Sequence, residues 1–283
     1  MDFWLTWIDE DVEQTVEVAR LAEAAGYRGI ALADHVAVPA SFISSHPSGG
    51  PTPFDHRTDF PDPLITAAMI LAATDHLEVM TYVYVLPMRD PFSVANQVAS
   101  LATFAPGRFQ FGVGAGWLRE EIDLLGHTVT ARGRRMDEMI EVIRGFWSEE
   151  AFAYHGEFFD FGPTGIAPRP PLPVPIWIGG KSPSALTRAA RNDGWLGMNY
   201  DLEEAYSLLE ALEAARQETH PQEPFETFLI PNAPPSRALF DDLSARGVSS
   251  TVGAAWGYAD RTFASLDSKR EAISRFSDRF IQP

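Results

Sequence analysis

The chain runs to 283 residues, 45% of them hydrophobic, with a formal net charge of −17 and no cysteine. So acidic a surface repels phosphate backbones and anionic lipid, which disfavours nucleic acid and membranes as partners. The lack of cysteine rules out disulfides, thiolate metal sites and cysteine nucleophiles together.

The acidic start "MDFWLTWIDEDVEQ" is unlike a secretory leader, and no apolar run reaches membrane-spanning length, so a cytoplasmic protein is expected. Along the chain, "FWLTW" (Phe3–Trp7) reads as a strand. Val12, Val16, Ala19 and Ala22 then recur at helical spacing, with Gly26 as the stop. "GIALA" (Gly29–Ala33) is the second strand, followed by a polar, proline-rich stretch from Asp34 to Pro61. Asp62 and Pro63 form a helix start, as do Asp90 and Pro91, on either side of the β-branched run "LEVMTYVYVL" (Leu77–Leu86).

The second half keeps the same rhythm. "RFQFGVG" (Arg108–Gly114) precedes a helix bearing Met136, Met139, Ile143 and Phe146, and "IWIGG" precedes a helix from Pro183. "GWLGMN" (Gly194–Asn199) leads to a stripe of Leu202, Ala205, Leu209 and Leu212. "TFLIP" (Thr227–Pro231) and "SSTVGAAW" (Ser249–Trp256) are the last strands, and Leu266, Ile273, Phe276 and Phe280 mark the last helix.

About eight strand–helix units is the number at which a parallel sheet closes into a (β/α)8 TIM barrel. No composition break divides the chain, so one α/β domain over residues 1–283 is expected, with a doubly wound sheet as the competing architecture. Insertions fall after the second strand (Asp34–Pro61) and before the fifth (Ala151–Pro175), the latter with room for a small hairpin.

In a barrel the chemistry sits where strands end. The mouth is therefore expected to carry Trp7, Asp34, His35, Tyr82, Tyr84, Gly114 to Trp117, Gly179 to Ser182, Met198, Asn199, Asn232 and Trp256. Rings and amides dominate that set, which suits a flat ligand more than a metal ion; Trp7, Trp117, Asn199 and Trp256 are the candidate substrate-pocket residues.

At Gly179-Gly180-Lys181-Ser182, the glycine that a nucleotide-triphosphate loop requires is replaced by Pro175. A simpler anion site remains: Ser182 caps the helix from Pro183, its first amides stay free, and the glycines let a phosphate approach. A tight strand-to-helix turn is the alternative. "GVGAGW" (Gly112–Trp117) lacks the dinucleotide fingerprint, yet Gly114 and Ala115 leave a bare loop for something planar to pass.

His35 is a proton donor or acceptor at a strand end, or else a structural histidine held by Asp34 or the following loop. His46 and His56, with Asp55, Asp59 and Asp62, superficially resemble a metal set but lack ligand spacing, so no metal is expected. Glu120 and Glu121 point in different directions on a helix and read as a charged helix start. With no nucleophile elbow either, the chain fits a protein that leaves the reaction to a bound cofactor.

The blocks "YRGIALADHV", "LEVMTYVYVLPMRDP", "PGRFQFGVGAGW", "RGRRMDEMIEVIRGFW" and "PIWIGGKSPSALTRAARNDGW" resemble the luciferase-like monooxygenase family, and within it the branch using the deazaflavin coenzyme F420. The likeness covers roughly Asp2 to Asn199. It implies a flavin or deazaflavin in the barrel mouth, its phosphate on Gly179 and Gly180 with Gly197 nearby. It also implies a non-proline cis peptide at Thr81-Tyr82-Val83 beside the cofactor ring, although Met80 stands where relatives often carry glycine. Asp34 and His35 match the family's strand-end pair, whose histidine serves the dehydrogenase members as a base. Pro39 and Trp117 replace a tryptophan and a glutamate of those dehydrogenases, so sugar and alcohol oxidation is not carried over, and a bulkier apolar substrate fits better. The expectation is a homodimeric F420-dependent oxidoreductase acting on a small organic substrate. The alternatives are an FMN-dependent monooxygenase or a cofactor-binding protein without turnover.

Overall fold

A computed structural model of the protein describes residues 1–8, 11–47, 49, 52–219, 224–253 and 265–282. Its elements in chain order are β1 (Asp2–Trp7), α1 (Thr15–Ala24), β2 (Gly29–Leu32), α2 (Pro63–Ala73), β3 (Glu78–Thr81) and its short continuation β4 (Tyr84–Val85). There follow α3 (Pro91–Phe104), β5 (Phe109–Gly114), α4 (Arg119–Leu124), α5 (Arg132–Ser148) and the hairpin strands β6 (Phe152–His155) and β7 (Asp160–Thr164). The order ends with β8 (Ile176–Gly179), α6 (Pro183–Ala190), β9 (Gly194–Tyr200), α7 (Leu202–Thr219), β10 (Glu226–Pro231), α8 (Arg237–Ala245), β11 (Ser250–Val252) and α9 (Leu266–Phe276).

The large sheet has the order β3-β2-β1-β11-β10-β9-β8-β5, and β5 pairs again with β3, so the sheet closes on itself. Every one of these pairings is parallel. The architecture is the (β/α)8 barrel expected from the alternation, and the hairpin β6–β7 lies inside the second insertion, before the fifth barrel strand.

Helix starts follow the local chemistry. Asp62 accepts from the amides of Leu64 and Ile65, Asp90 from Ser93 and Ser182 from Ala185, each with proline in the first turn. Met136, Met139, Ile143 and Phe146 are buried as their spacing predicts. The first helix differs. Asp11 caps a separate 3-10 turn at Val12–Gln14, which leaves Val12 exposed, and Thr15, Val18, Ala19 and Ala22 form the buried face of α1.

The barrel interior is filled from the floor upward. At the N-terminal end the Arg28 guanidinium reaches Asp2 (3.1 Å), Glu78 (3.1 Å) and Glu226 (3.2 Å) and lies under the rings of Trp4 and Trp177. Above it Trp4 and Trp177 meet edge-on, centroids 6.3 Å apart, with Met80, Leu196 and Phe228 around them. Two glycines make room for the indoles: a Cβ on Gly29 would lie 2.4 Å from the Trp4 ring, and one on Gly194 2.6 Å from Trp177. The floor is packed with side chains, so the C-terminal mouth is where a ligand can enter. No helix among the described residues is long and apolar enough to cross a membrane.

Candidate active site

β2 delivers Asp34 and His35 to the mouth, and their roles separate at once. Both Asp34 oxygens are engaged, Oδ1 by Arg89 at 2.6 Å and Oδ2 by the Val85 amide at 2.7 Å. Burial pushes this carboxyl's pKa up against the pull of Arg89 and the Val85 amide. Asp34, the first member of the family-matched strand-end pair and a candidate cofactor-binding residue, has no side-chain exposure and ties the end of β2 to β4.

His35 Nδ1 lies 2.7 Å from Glu121 Oε2, and the two side chains are 9% and 2% exposed. Glu121 Oε1 accepts from the amides of Val36 (2.6 Å) and Ala37 (3.0 Å). Burial raises the Glu121 pKa, but the His35 hydrogen bond and the Ala37 and Val36 amides outweigh it, and the carboxyl stays below its usual range. Glu120 fastens the same loop further on, accepting from the Ile43 and Ser44 amides and from the Ser44 hydroxyl at 2.7 Å. Two adjacent carboxylates in the first turn of α4 thus pin the loop that follows β2.

That loop brings its rings over the strand ends. The His35 ring packs against Phe54 (4.7 Å) and Phe60 (4.8 Å), with Trp117 at 6.1 Å. Trp117 in turn meets His46 at 5.1 Å and Phe42 at 6.2 Å. Burial, then the neighbouring His35, holds the His46 imidazole below its ordinary pKa. The superficial metal set is dispersed, because Asp55 pairs with Arg57 and Asp62 caps α2.

Across the mouth, β3 ends at Thr81, whose hydroxyl donates to the Gly112 carbonyl at 2.7 Å. The next peptide, Tyr82–Val83, is cis, at the place the family likeness implied. The Tyr82 hydroxyl donates to the Gly197 carbonyl at 2.7 Å, and burial, then the nearby Tyr200, pushes this phenol's pKa up. Val83 inserts between two strand ends: a Cβ on Gly114 would lie 2.6 Å from its Cγ2, and one on Gly179 2.6 Å from its Cγ1. These two glycines therefore have a packing reason to be glycine. Gly180 has a different one, a φ of +122°.

Beyond Gly180, α6 presents its N-terminus. Ser182 caps it, and among the described residues the amides of Lys181, Ser182 and Ser184 carry no hydrogen bond. The Gly180 carbonyl is taken by the Trp195 indole at 2.8 Å. Lys181 is exposed, pairs with Glu204 at 2.7 Å and lies over the Tyr200 ring.

Several expected mouth residues lie elsewhere. Trp7 shares the outward parity of Phe3 and Leu5; its ring is buried in the helix layer with Nε1 donating to Thr15, so its assignment to the substrate pocket is corrected. Tyr84 likewise packs outward on Phe111 and under Arg89. Ala115 and Trp117 are half-buried and Asn199 is exposed at the strand end. Asn232 is also exposed and donates to Asp201. Trp256 lies outside the described residues. Glu121, Glu120 and Arg89 are the site residues that reading the sequence missed.

The chain is thus a closed parallel barrel with a carboxylate-held imidazole and a helix N-terminus at its mouth. Residues 5–232 match the luciferase-like monooxygenase family, and the chain belongs to it. An uncharacterised protein of Mycobacterium tuberculosis is 36% identical over 217 residues, 76% of this chain and 75% of that one. An FMNH(2)-dependent dimethylsulfone monooxygenase of Pseudomonas fluorescens is 28% identical over 194 residues, 68% of this chain and 49% of that enzyme. Among solved structures, a monooxygenase from Streptomyces bottropensis matches over 99% of both chains with a TM-score of 0.79 at 18% identity. An F420-dependent secondary alcohol dehydrogenase matches with a TM-score of 0.66 at 20% identity, covering 81% of this chain and 67% of that one. Relatives and structural neighbours thus include both FMN-dependent and F420-dependent proteins.

Proposed function

We propose that the protein is an oxidoreductase moving a hydride between coenzyme F420 and a small organic substrate, with His35 handling the accompanying proton. The observation that carries this reading is His35 itself. One ring nitrogen is held by Glu121, the other carries no hydrogen bond among the described residues, and aromatic rings surround both. Adding a hydride to a carbonyl needs one proton at oxygen, which a single positioned acid–base group supplies. A bound deazaflavin would contribute the two-electron hydride chemistry.

The residues present fit such a group. The free amides at the start of α6, next to Gly179 and Gly180, suit its phosphate, although the Cβ sides of the two glycines are taken by Val83 and Ala185. Tyr82 and Val83 would back its ring, Gly114, Ala115 and Gly197 would border it, and Trp117 and Asn199 would face the substrate. An FMN-dependent monooxygenase is the second reading, favoured by the 28% identity to an FMNH(2)-dependent enzyme. Titration of the purified protein with F420 and separately with FMN, followed by tryptophan quenching, tests the choice. Tight FMN binding without an F420 response would reverse it.

A homodimer belongs to the same proposal. α2 and α3 contain no charged residue, and outward on them lie Ile65 (67% exposed), Met69 (48%) and Phe104 (85%). In a two-fold contact a patch faces itself, so each charge near the axis would meet its own copy. For a chain of net charge −17, an uncharged face is the one on which a second copy can settle.

A further inference from the structure

We infer that Glu121 is a positioning residue that locks His35 in the Nδ1–H tautomer and so makes Nε2 the nitrogen that takes up or delivers a proton. Its catalytic consequence rests on the proposed role of His35; the tautomer assignment does not.

The argument is one of donors and acceptors. An ionised carboxylate only accepts hydrogen bonds. Glu121 Oε1 already accepts two backbone N–H groups, from Val36 at 2.6 Å and Ala37 at 3.0 Å, and Oε2 faces His35 Nδ1 at 2.7 Å. A contact that short to an acceptor requires hydrogen on Nδ1. The net downward shift of the Glu121 carboxyl agrees with its being ionised. Among the described residues the rings on the imidazole are those of Phe54, Phe60 and Trp117, which cannot accept at Nδ1. Asp34 and His46 act on the ring's charge, but Asp34 is taken by Arg89 and the Val85 amide, and Nδ1 itself is taken by Glu121. In neutral His35 the lone pair therefore lies on Nε2. The same carboxylate holds the first residues of the loop after β2, so placing the loop and orienting the ring are one event.

Glu121→Gln separates these roles. The Val36 and Ala37 amides still need an acceptor, so the carboxamide oxygen keeps the Oε1 position and the NH2 group comes to face Nδ1. Nδ1 must then accept, and the ring proton moves to Nε2. The loop keeps its anchor while the tautomer inverts.

The test is two-bond 1H–15N correlation NMR on histidine-labelled protein, at a pH where the ring is neutral, with the His35 signals assigned by their loss in His35→Ala. The expected result is hydrogen on Nδ1 in the wild type and on Nε2 in Glu121→Gln. Turnover with F420 should fall by about 10³-fold with little change in KM, the scale of a misplaced general acid–base tautomer. Should Glu121→Gln fail to fold, Glu121→Asp keeps an acceptor and is expected to retain Nδ1–H with partial activity. Hydrogen on Nε2 in the wild type, or an unchanged tautomer in Glu121→Gln, overturns the inference. So does full activity of Glu121→Gln when His35→Ala is inactive. If His35→Ala itself turns over normally, the proposed role of His35 fails while the NMR result still judges the tautomer.

Discussion

Gly179 offers the sharpest test, because its two possible reasons for being glycine predict different things. In the structure the position a Cβ would occupy is 2.6 Å from Val83 Cγ1. Gly179→Ala therefore overpacks the wedge between β5 and β8, at about 1–3 kcal/mol. Against this stands about 0.4–1 kcal/mol gained from a less flexible unfolded chain. The net expectation is about 0.5–2 kcal/mol of destabilisation in the cofactor-free protein, which for a chain of this size lowers Tm by about 1–8 °C. Val83→Ala removes both γ-methyl groups and costs stability on its own through lost burial. In that background Gly179→Ala should be neutral or slightly stabilising, so the two substitutions couple by about 1–3 kcal/mol. Urea unfolding of the four proteins of the cycle measures it. An equal cost in both backgrounds refutes the wedge. An unchanged stability together with lost cofactor binding would mean that Gly179 is glycine for the ligand alone.

Arg89→Met should cost about 3–5 kcal/mol in urea unfolding, because it strands the buried Asp34 carboxylate. With that carboxyl's folded pKa raised further, the variant should regain stability as pH falls and Asp34 takes a proton; a loss with the wild-type pH dependence would contradict the pairing. Glu120 is held at about 2, against 4.5 for a free glutamate, chiefly by the Ser44 hydroxyl and with help from the Ile43 and Ser44 amides. A depressed folded pKa gives stability that is present above 4.5 and lost as pH falls toward 2, so the loop should loosen in that window. Trp117 emission should report the loosening in the wild type and lose that transition in Glu120→Gln. Met69→Lys places like charges across the proposed two-fold contact and should yield a monomer by light scattering; a persisting dimer would remove α2 from the interface.

What was legible in the sequence was whatever depends on neighbours in the chain. The Asp-Pro and Ser-Pro helix starts, the buried stripe of α5 and the eight-fold alternation are local patterns, and the barrel follows from them. The strand-end rule also brought His35, Tyr82, Gly114, Gly179 and Gly180 to one end of the barrel, with Val83 added by the family resemblance. It failed at Trp7 and Tyr84, because strand parity was not followed to the last residue and both rings turn toward the helices. The partners of the site were hidden by distance. Glu121 meets His35 across 86 residues and Arg89 meets Asp34 across 55. No spacing rule joins them, and Glu121 resembled any other acid at a helix start. Its one distinguishing property, nearly complete burial, is a tertiary fact.

The charged groups around the mouth are, among the described residues, largely engaged with protein. Asp34 holds Arg89, Glu121 holds His35 and the loop amides, Glu120 holds Ser44, and Lys181 holds Glu204. What remains for a ligand is a short inventory: the Nε2 atom of His35, the amides at the start of α6, and the faces of Trp117 and its neighbours. Such groups orient a flat molecule, receive an anion and move one proton, and none of them is a nucleophile of the usual kind. On the proposed function, a protein with those three abilities would contribute placement and a dry enclosure, and a bound cofactor would supply the electrons. The same inventory limits the substrate. The rings of Phe54, Phe60 and Trp117 around His35 would, on that function, favour an apolar carbonyl compound.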